Sequence, residues 1–522
     1  MMKKLLLILV TSFLLPSPLI QAQTPDWSTT IASIFYNHCA VCHHESGIAP
    51  FSLLTYNDAF DNGFSIEADV NAKIMPPWPP DPNYSHLRDE KVLSENEITA
   101  IDDWVDNGMP IGDTSLAPDP PVYNGSSLMV NPDETVYLPV FTVPDVGDVY
   151  WRFVNQSGYN ETKYLNSVEF VAGNPSIMHH VTVGYDKTGL AHQDDLDYPG
   201  PGCPRDFGSN PWNKIFMSQS EGRVTSLPPN IGFRIPDSSD YVSDMHYYTS
   251  SLGEVDSSKI NIKFCTVPDV RSVSTEKLIY GDEPSLIDGP LEIAANTIQT
   301  FHLQSSVFAE DQSLIGFGPH AHLICKSWKV YIVTPSADTI PLISIPNWNF
   351  DWQGSYMLTK VIKIPAGSVI YATAVYDNTN NNPHNPNNPP EDIHSGQERG
   401  NEMAQVHFWL MDYQPGDEDI ILDSTFYGIP SSQESIDGQL AMNIYPNPAS
   451  DVVHLISNLP AHDVNWQLTD LFGVVVKSMN LKNVSEGVYS HDVDVSGLCA
   501  GLYQLSIQSG GVTAVKKLIV IR

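Results

Sequence analysis

Positive charge is scarce in this sequence. Its 522 residues hold 26 Lys and Arg against 61 Asp and Glu, a formal charge of −35. Nucleic acid and anionic lipid both reward positive charge, so neither is expected as a partner. Long apolar runs are scarce too. Past the first 22 residues nothing approaches the ~20 apolar residues that cross a bilayer, so no membrane span is expected. Helical periodicity is sparse, whereas Pro 41 and Gly 33 mark many turns. That combination points to a mainly β chain. The apolar fraction of 42% and the aromatic fraction of 10% are those of a globular protein, and the length suggests three or four domains.

The first residues have the form of a secretory signal. Lys3-Lys4 precede an apolar run over 5–15, and a small-residue site follows near Ala22. Residues 1–22 are therefore expected to be removed. The six Cys of an exported chain can pair or carry haem.

Residues 23–113 contain Cys39-Ala40-Val41-Cys42-His43, the C-x-x-C-H attachment signal for c-type haem. One turn of chain brings both thiols to the vinyl edges, and His43 follows as proximal ligand. Met75, in Ile74-Met75-Pro76-Pro77-Trp78, is the expected sixth ligand, with Met109 and His86 as rivals. His38 and His44 are expected in solvent. Over 93–105, Ser94 and Glu97 form a capping box ahead of an amphipathic helix, which resembles the terminal helix of a small cytochrome c. A Pro-rich semi-rigid linker is expected over 114–135.

From about residue 136 short apolar alternations recur between turn residues. They predict two β-sandwiches, over 136–275 and 276–423. Within them stand His179-His180, His246, Gly318-Pro319-His320-Ala321-His322 and Asn401-Glu402-Met403. A His-x-His pair on a strand points both rings to one face. His179 and His180, being adjacent, reach one metal only if the strand end bends or their rotamers differ. Three imidazoles suit copper or zinc, and a thioether such as Met403 favours copper cycling through Cu(I). Cys325 is expected on the face opposite His322. Cys203 and Cys265 are candidates for a disulfide, with Cys325 and Cys499 unpaired. The Asn-Pro-rich stretch 378–390 is expected to be an extended surface loop, with His384 in solvent.

The order His-His, His, His-x-His, Met over roughly 136–415 resembles the copper type II, ascorbate-dependent monooxygenases, the family of peptidylglycine α-hydroxylating monooxygenase and dopamine β-hydroxylase. The resemblance implies two tandem jelly-roll-like sandwiches, each holding one copper ion across a solvent-filled cleft. It implies that His179, His180 and His246 bind an electron-transfer copper. His320, His322 and Met403 would bind the copper where O2 is activated, with a small-molecule or peptide-like organic substrate hydroxylated at a C–H bond and an external reductant consumed. Departures are plain. Gly318 stands where the peptide enzyme has a carboxylate-gripping Arg, Gln405 and His407 replace its Asn and Tyr, and Asp244 replaces its Gln. Amidation of peptides is not supported, and no amine site marks a catecholamine substrate. The haem segment is expected to feed electrons to the three-histidine copper. The alternatives are a non-catalytic haem and copper electron-transfer or copper-holding surface protein, and an adhesin-like protein.

A polar linker is expected over 424–440. Residues 441–522 open with Tyr445-Pro446-Asn447-Pro448 and close with Lys516-Lys517-Leu518-Ile519-Val520. This segment resembles the C-terminal sorting domain of the type IX (Por) secretion system, a third β unit. It implies export to the cell surface or medium with the type IX machinery as partner.

Overall fold

The computed structural model describes residues 24–422 apart from 124–126, 130, 145–148, 209–211, 220–223, 249–250 and 283. It also describes 442–520 apart from 446–448, 450–451, 460–462, 471–474, 483–486, 500 and 510–511. The expected signal peptide and the 424–440 linker lie outside the described residues. The architecture is mainly β, with a small helical region before it and a separate β unit after it.

The helical region contains α1 (Ala32–His38), α2 (Tyr56–Asn71) and α3 (Glu95–Asp106). The capping box expected at Ser94 is present. Glu97 N–H donates to Ser94 Oγ, and Ser94 N–H donates to the Glu97 carboxylate. Thr55 and Asp58 form a second box that starts α2. Trp27, Ile31, Phe35, Ile101 and Trp104 form the core between these helices. His38 and His44 are not solvated as expected. His38 contacts Glu97 at 3.1 Å, and His44 is buried, stacked on Tyr123 with ring centroids 4.0 Å apart.

Between α2 and α3 the chain reaches out and docks on the central β body. Asp81 N–H donates to Ser344 O, and Arg88 N–H to Met357 O, both at 2.8 Å. Leu87 belongs to the central core, and the Arg88 guanidinium donates to Ser226 O at 2.7 Å. The arm thus bridges both halves of the body.

In that body the two expected sandwiches share a sheet. Strands Glu134–Tyr137, Lys259–Phe264, Lys163–Val171 and Ile231–Ile235 continue into Arg271–Ile279, Gln405–Asp412, Gln312–His320 and Tyr356–Ile364. The junction is a parallel pairing of Arg271–Ile279 with Ile231–Ile235. The boundary expected at 275 therefore falls inside the strand that joins the halves. Only Val273 and Ile279 of that strand are buried and it lacks a clean apolar alternation, which is why no strand signal is legible there. A second sheet, ordered Val149–Gln156, Asp240–Tyr247, Met178–Asp186, Asn213–Gln219, covers the first half. A third, ordered Thr297–Gln304, Val369–Asn378, Cys325–Val333, Thr339–Ile345, covers the second. One apolar core runs through both halves.

Two more expectations change. Stretch 378–390 is folded on itself: Asn378 is buried and donates to Ile293 O and Glu391 O, while Asn385 donates to Asn378. Cys203 and Cys265 are not disulfide-bonded, and they stand on strands of different sheets or at their ends. The C-terminal unit packs two antiparallel sheets over Val453, Leu455, Trp466, Leu468, Val493 and Leu505.

Arg88→Ala removes a charged donor from a buried carbonyl. It should cost about 1.5–3 kcal/mol, the range of hydrogen bonds to charged groups. The checks are a lower denaturant midpoint and faster proteolysis between α2 and α3. An unchanged cleavage pattern would mean that the arm is held without Arg88.

Candidate metal centre

Regular pleating would send His179 and His180 to opposite faces. The sheet avoids this with a bulge. On the neighbouring strand His246 pairs with His180, but Tyr247 pairs with Met178, so His179 is the extra residue. An extra residue bends its strand and re-aims a side chain. The result is a triangle of imidazoles with ring centroids 4.7–5.0 Å apart. One ring nitrogen from each of His179, His180 and His246 lies within 4.8 Å of the others, and all three residues are buried.

The surroundings fix the tautomers. His179 Nε2–H donates to Phe350 O at 3.1 Å, which leaves the Nδ1 lone pair facing His180 Nδ1 at 2.8 Å. His179 stacks on the Phe350 ring and His246 on Tyr150, at 4.5 and 4.1 Å. Metal-binding histidines characteristically give their other N–H to a carbonyl in this way. Metal–nitrogen bonds of about 2.0–2.1 Å put ligand nitrogens roughly 3–4 Å apart, which small ring rotations reach here. The set fits a transition metal, copper or zinc alike. Burial, with the neighbouring His179, His246 and His320, holds the His180 ring well below the usual imidazole range and therefore neutral, as a ligand must be.

His320 closes its strand, and His322 lies just beyond the strand end rather than on it. Their rings still meet, with centroids 5.3 Å apart. Each is held through Nδ1, which leaves the Nε2 lone pair as the available ligand. His320 Nδ1–H donates to Gln353 Oε1 and His322 Nδ1–H to Asn401 O. Burial lowers both, and His322 falls to about 4.

Met403 is tied to His322 by one carboxylate. Glu402, buried, accepts from the N–H groups of His322 and Ile324 at 2.8 Å and of Met403 at 3.2 Å. Burial pushes Glu402 up to about 8, against the pull of those donors. Tyr376 Oη donates to Met403 O. Gln405, two residues on, pairs with His320 and donates to the Met403 sulfur at 3.9 Å. Met403 lines a cavity of ≈340 Å³ together with His180, His246, Gln405 and His407.

The two expected groups are not separated by a cleft. His180 and His320 have ring centroids 6.3 Å apart, and Phe350 lies against both His179 and His322. The five imidazoles form one connected cluster. Loop 346–355 supplies its partners: Trp348 donates to His322 O, Phe350 accepts from His179, and Gln353 orients His320. Sequence reasoning missed these residues. Their only signal was Trp348, Phe350 and Trp352 crowded into a polar stretch with no strand alternation. Asp244 forms an ion pair with buried Arg152 at 2.7 Å.

In the helical region Cys42 and His43 N–H groups both donate to Cys39 O, so the motif is a tight turn after α1. His43 Nδ1–H donates to Phe51 O at 3.0 Å, which leaves Nε2 as a ligand atom. Cys39 and Cys42 are not disulfide-bonded. Turn, ring orientation and paired thiols fit covalent haem. Met75 is 39% exposed, whereas Met109 is buried with its sulfur against Gly63.

His179→Ala and His246→Ala should each weaken copper binding on the order of 100-fold or more, beyond the roughly 10–100-fold of an outer partner. Equilibrium dialysis with metal analysis measures this. Two variants that bind copper like the parent would rule out the triangle as a ligand set.

No curated protein matches the chain. Among solved structures it is similar to the β-glucuronidase of Ruminococcus gnavus in complex with uronic isofagomine, at 11% identity and TM-score 0.11, over 44% of this chain and 35% of that one. It is similar to the β-glucuronidase of Parabacteroides merdae with glycerol in its active site, at 9% and 0.13, over 42% and 28%. It is also similar to the BSP domain of a biofilm associated protein, at 9% and 0.14, over 74% and 81%. The chain thus spans about a third of the length of the glucuronidases, and the scores carry neither fold nor activity across. No helix among the described residues is long and apolar enough to cross a membrane. Residues 443–521 match the family described as the secretion system C-terminal sorting domain, so the chain ends in a type IX sorting domain and is a secreted or surface-attached protein.

Proposed function

We propose that this protein is a copper-dependent monooxygenase that hydroxylates a C–H bond of an organic substrate with O2, with electrons supplied through a covalently bound haem c. The observation that carries the reading is the cavity in which Met403 stands beside His180 and His246. A soft thioether and imidazoles at an open space suit a metal that changes oxidation state. Copper bound there would supply O2 activation and one-electron steps.

The chain's own groups do the rest. Gln353 and Asn401 fix which nitrogen His320 and His322 present. Glu402 holds the His322 and Met403 backbones together, and Phe350 shields the imidazoles from water. Trp78, on the docked arm three residues after Met75, packs edge-on against Tyr356 at 5.7 Å. Tyr356 follows Gln353 by three residues. Tyr356 also pairs with Phe317 on the strand that ends at His320, so two aromatic rings connect the haem segment with that strand. This supports electron delivery at the His320 side of the cluster, rather than at the three-histidine side that the sequence suggested.

A second reading has its own support. His179 and His246 are only 1% and 2% exposed, and closed metal sites are characteristically structural. On that reading the protein holds or passes electrons without turnover.

Oxygen uptake by copper-loaded protein with a reductant and a panel of organic substrates separates the two. The Met403→Leu variant should lose uptake on the order of 100-fold while its three-histidine ion remains, since thioether loss removes the soft ligand. Uptake that survives in Met403→Leu would dismiss the oxygenase reading. Electron delivery is tested by anaerobic stopped-flow. Ferrous haem absorbance should turn ferric as the Cu(II) EPR signal falls, and Trp78→Leu should slow both. Absence of any haem reoxidation would remove the haem from the pathway.

A further inference from the structure

We propose that the cavity beside Met403 binds a small organic anion, through Arg205, Lys214 and Lys277. The proposal names the substrate class and rests on the oxygenase reading for the reaction, though not for the binding. Cations are rare in this chain, at 26 among 522 residues against 61 acidic ones. Three of them nevertheless line one cavity. Asp244 is the one carboxylate in that lining, and both its oxygens accept from Arg152, at 2.7 and 3.2 Å. Among the described residues none of the three cations has a carboxylate within ion-pair distance, although the chain as a whole is strongly acidic.

Each cation comes from a different element. Lys214 lies opposite Gly184 in the sheet that carries the triangle. Lys277 lies opposite His407, whose other neighbour is Gly318. Arg205 is laid over the Tyr150 ring at 4.2 Å, and Tyr150 in turn over His246 at 4.1 Å. A stacked guanidinium keeps its edge for planar acceptors such as carboxylate. Burial and Lys277 push the Lys214 ammonium down to about 8, with Asp244 opposing them only in part, so like charges crowd there. An anion relieves that repulsion. Trp212, Tyr150 and Met245 supply apolar wall, which suits a carbon skeleton rather than an inorganic ion. None of the three cations stands at the Gly318 position, where the resembled peptide enzyme carries its Arg.

The test is calorimetric titration of the full chain with 4-phenylbutyrate, its neutral amide, 4-phenylbutylamine and sulfate. The carboxylate should bind at least about tenfold more tightly than the amide, the worth of one charge-assisted hydrogen bond. The amine should not bind. Lys214→Met and Arg205→Gln should each cost about tenfold or more for the carboxylate with copper content unchanged. An amide or amine that binds as well as the carboxylate overturns the proposal, as does an unchanged affinity in both variants. Sulfate binding with no advantage for phenylbutyrate also overturns it. Comparison of ligands on the parent protein keeps the test valid if a variant misfolds. Anion binding without oxygen uptake would leave this site standing and remove the oxygenase reading. Uptake with neutral but not anionic substrates would do the reverse.

Discussion

Much of the site hangs on one carboxylate. Glu402 is buried and collects three backbone N–H groups from two segments 80 residues apart, around His322 and at Met403. Neither segment is in regular strand at the point of contact. Without that acceptor, three buried donors would lack a partner, at about 1–3 kcal/mol each. The clamp therefore does for this region of the cluster what strand pairing does for His180 and His246. Tyr376 adds a second hold on the Met403 backbone from the third sheet.

The two halves of the cluster are built by different means. On one side a bulge at His179 breaks the alternation that would turn adjacent rings away from each other. On the other a strand stops at His320, and His322 lies beyond its end, just ahead of the turn at residues 323–324. Loop 346–355 then spans both, with Phe350 touching rings from each group. This makes one continuous set of imidazoles out of what the sequence suggested as two sites across a gap.

Sequence alone went a fair distance. The capping box at Ser94, most strands and the members of the histidine triangle were legible because each rests on local chemistry. Ser94 and Glu97 need only each other. What escaped depends on distant partners. The joining strand Arg271–Ile279 has no apolar rhythm of its own and is held in place by one partner over residues 271–273 and another over residues 274–279. Gln353 and Phe350 matter through what they touch. Arg205, Lys214 and Lys277 are scattered along the chain and share no pattern. His44 looked like a surface residue beside a haem motif, yet Tyr123 from the following segment covers it.

The shared strand in the central body has a mechanical meaning. Arg271–Ile279 pairs first with Ile231–Ile235, over residues 271–273, and then with Gln405–Asp412, over residues 274–279. One apolar core also runs through both halves, so hinge motion of one against the other would have to part that core. Access for ions, oxygen or substrate must instead arise within loop 346–355 and the turns around Met403, while the two scaffolds keep a fixed angle. The molecule is arranged as a rigid frame with a small adjustable insert, not as a jaw.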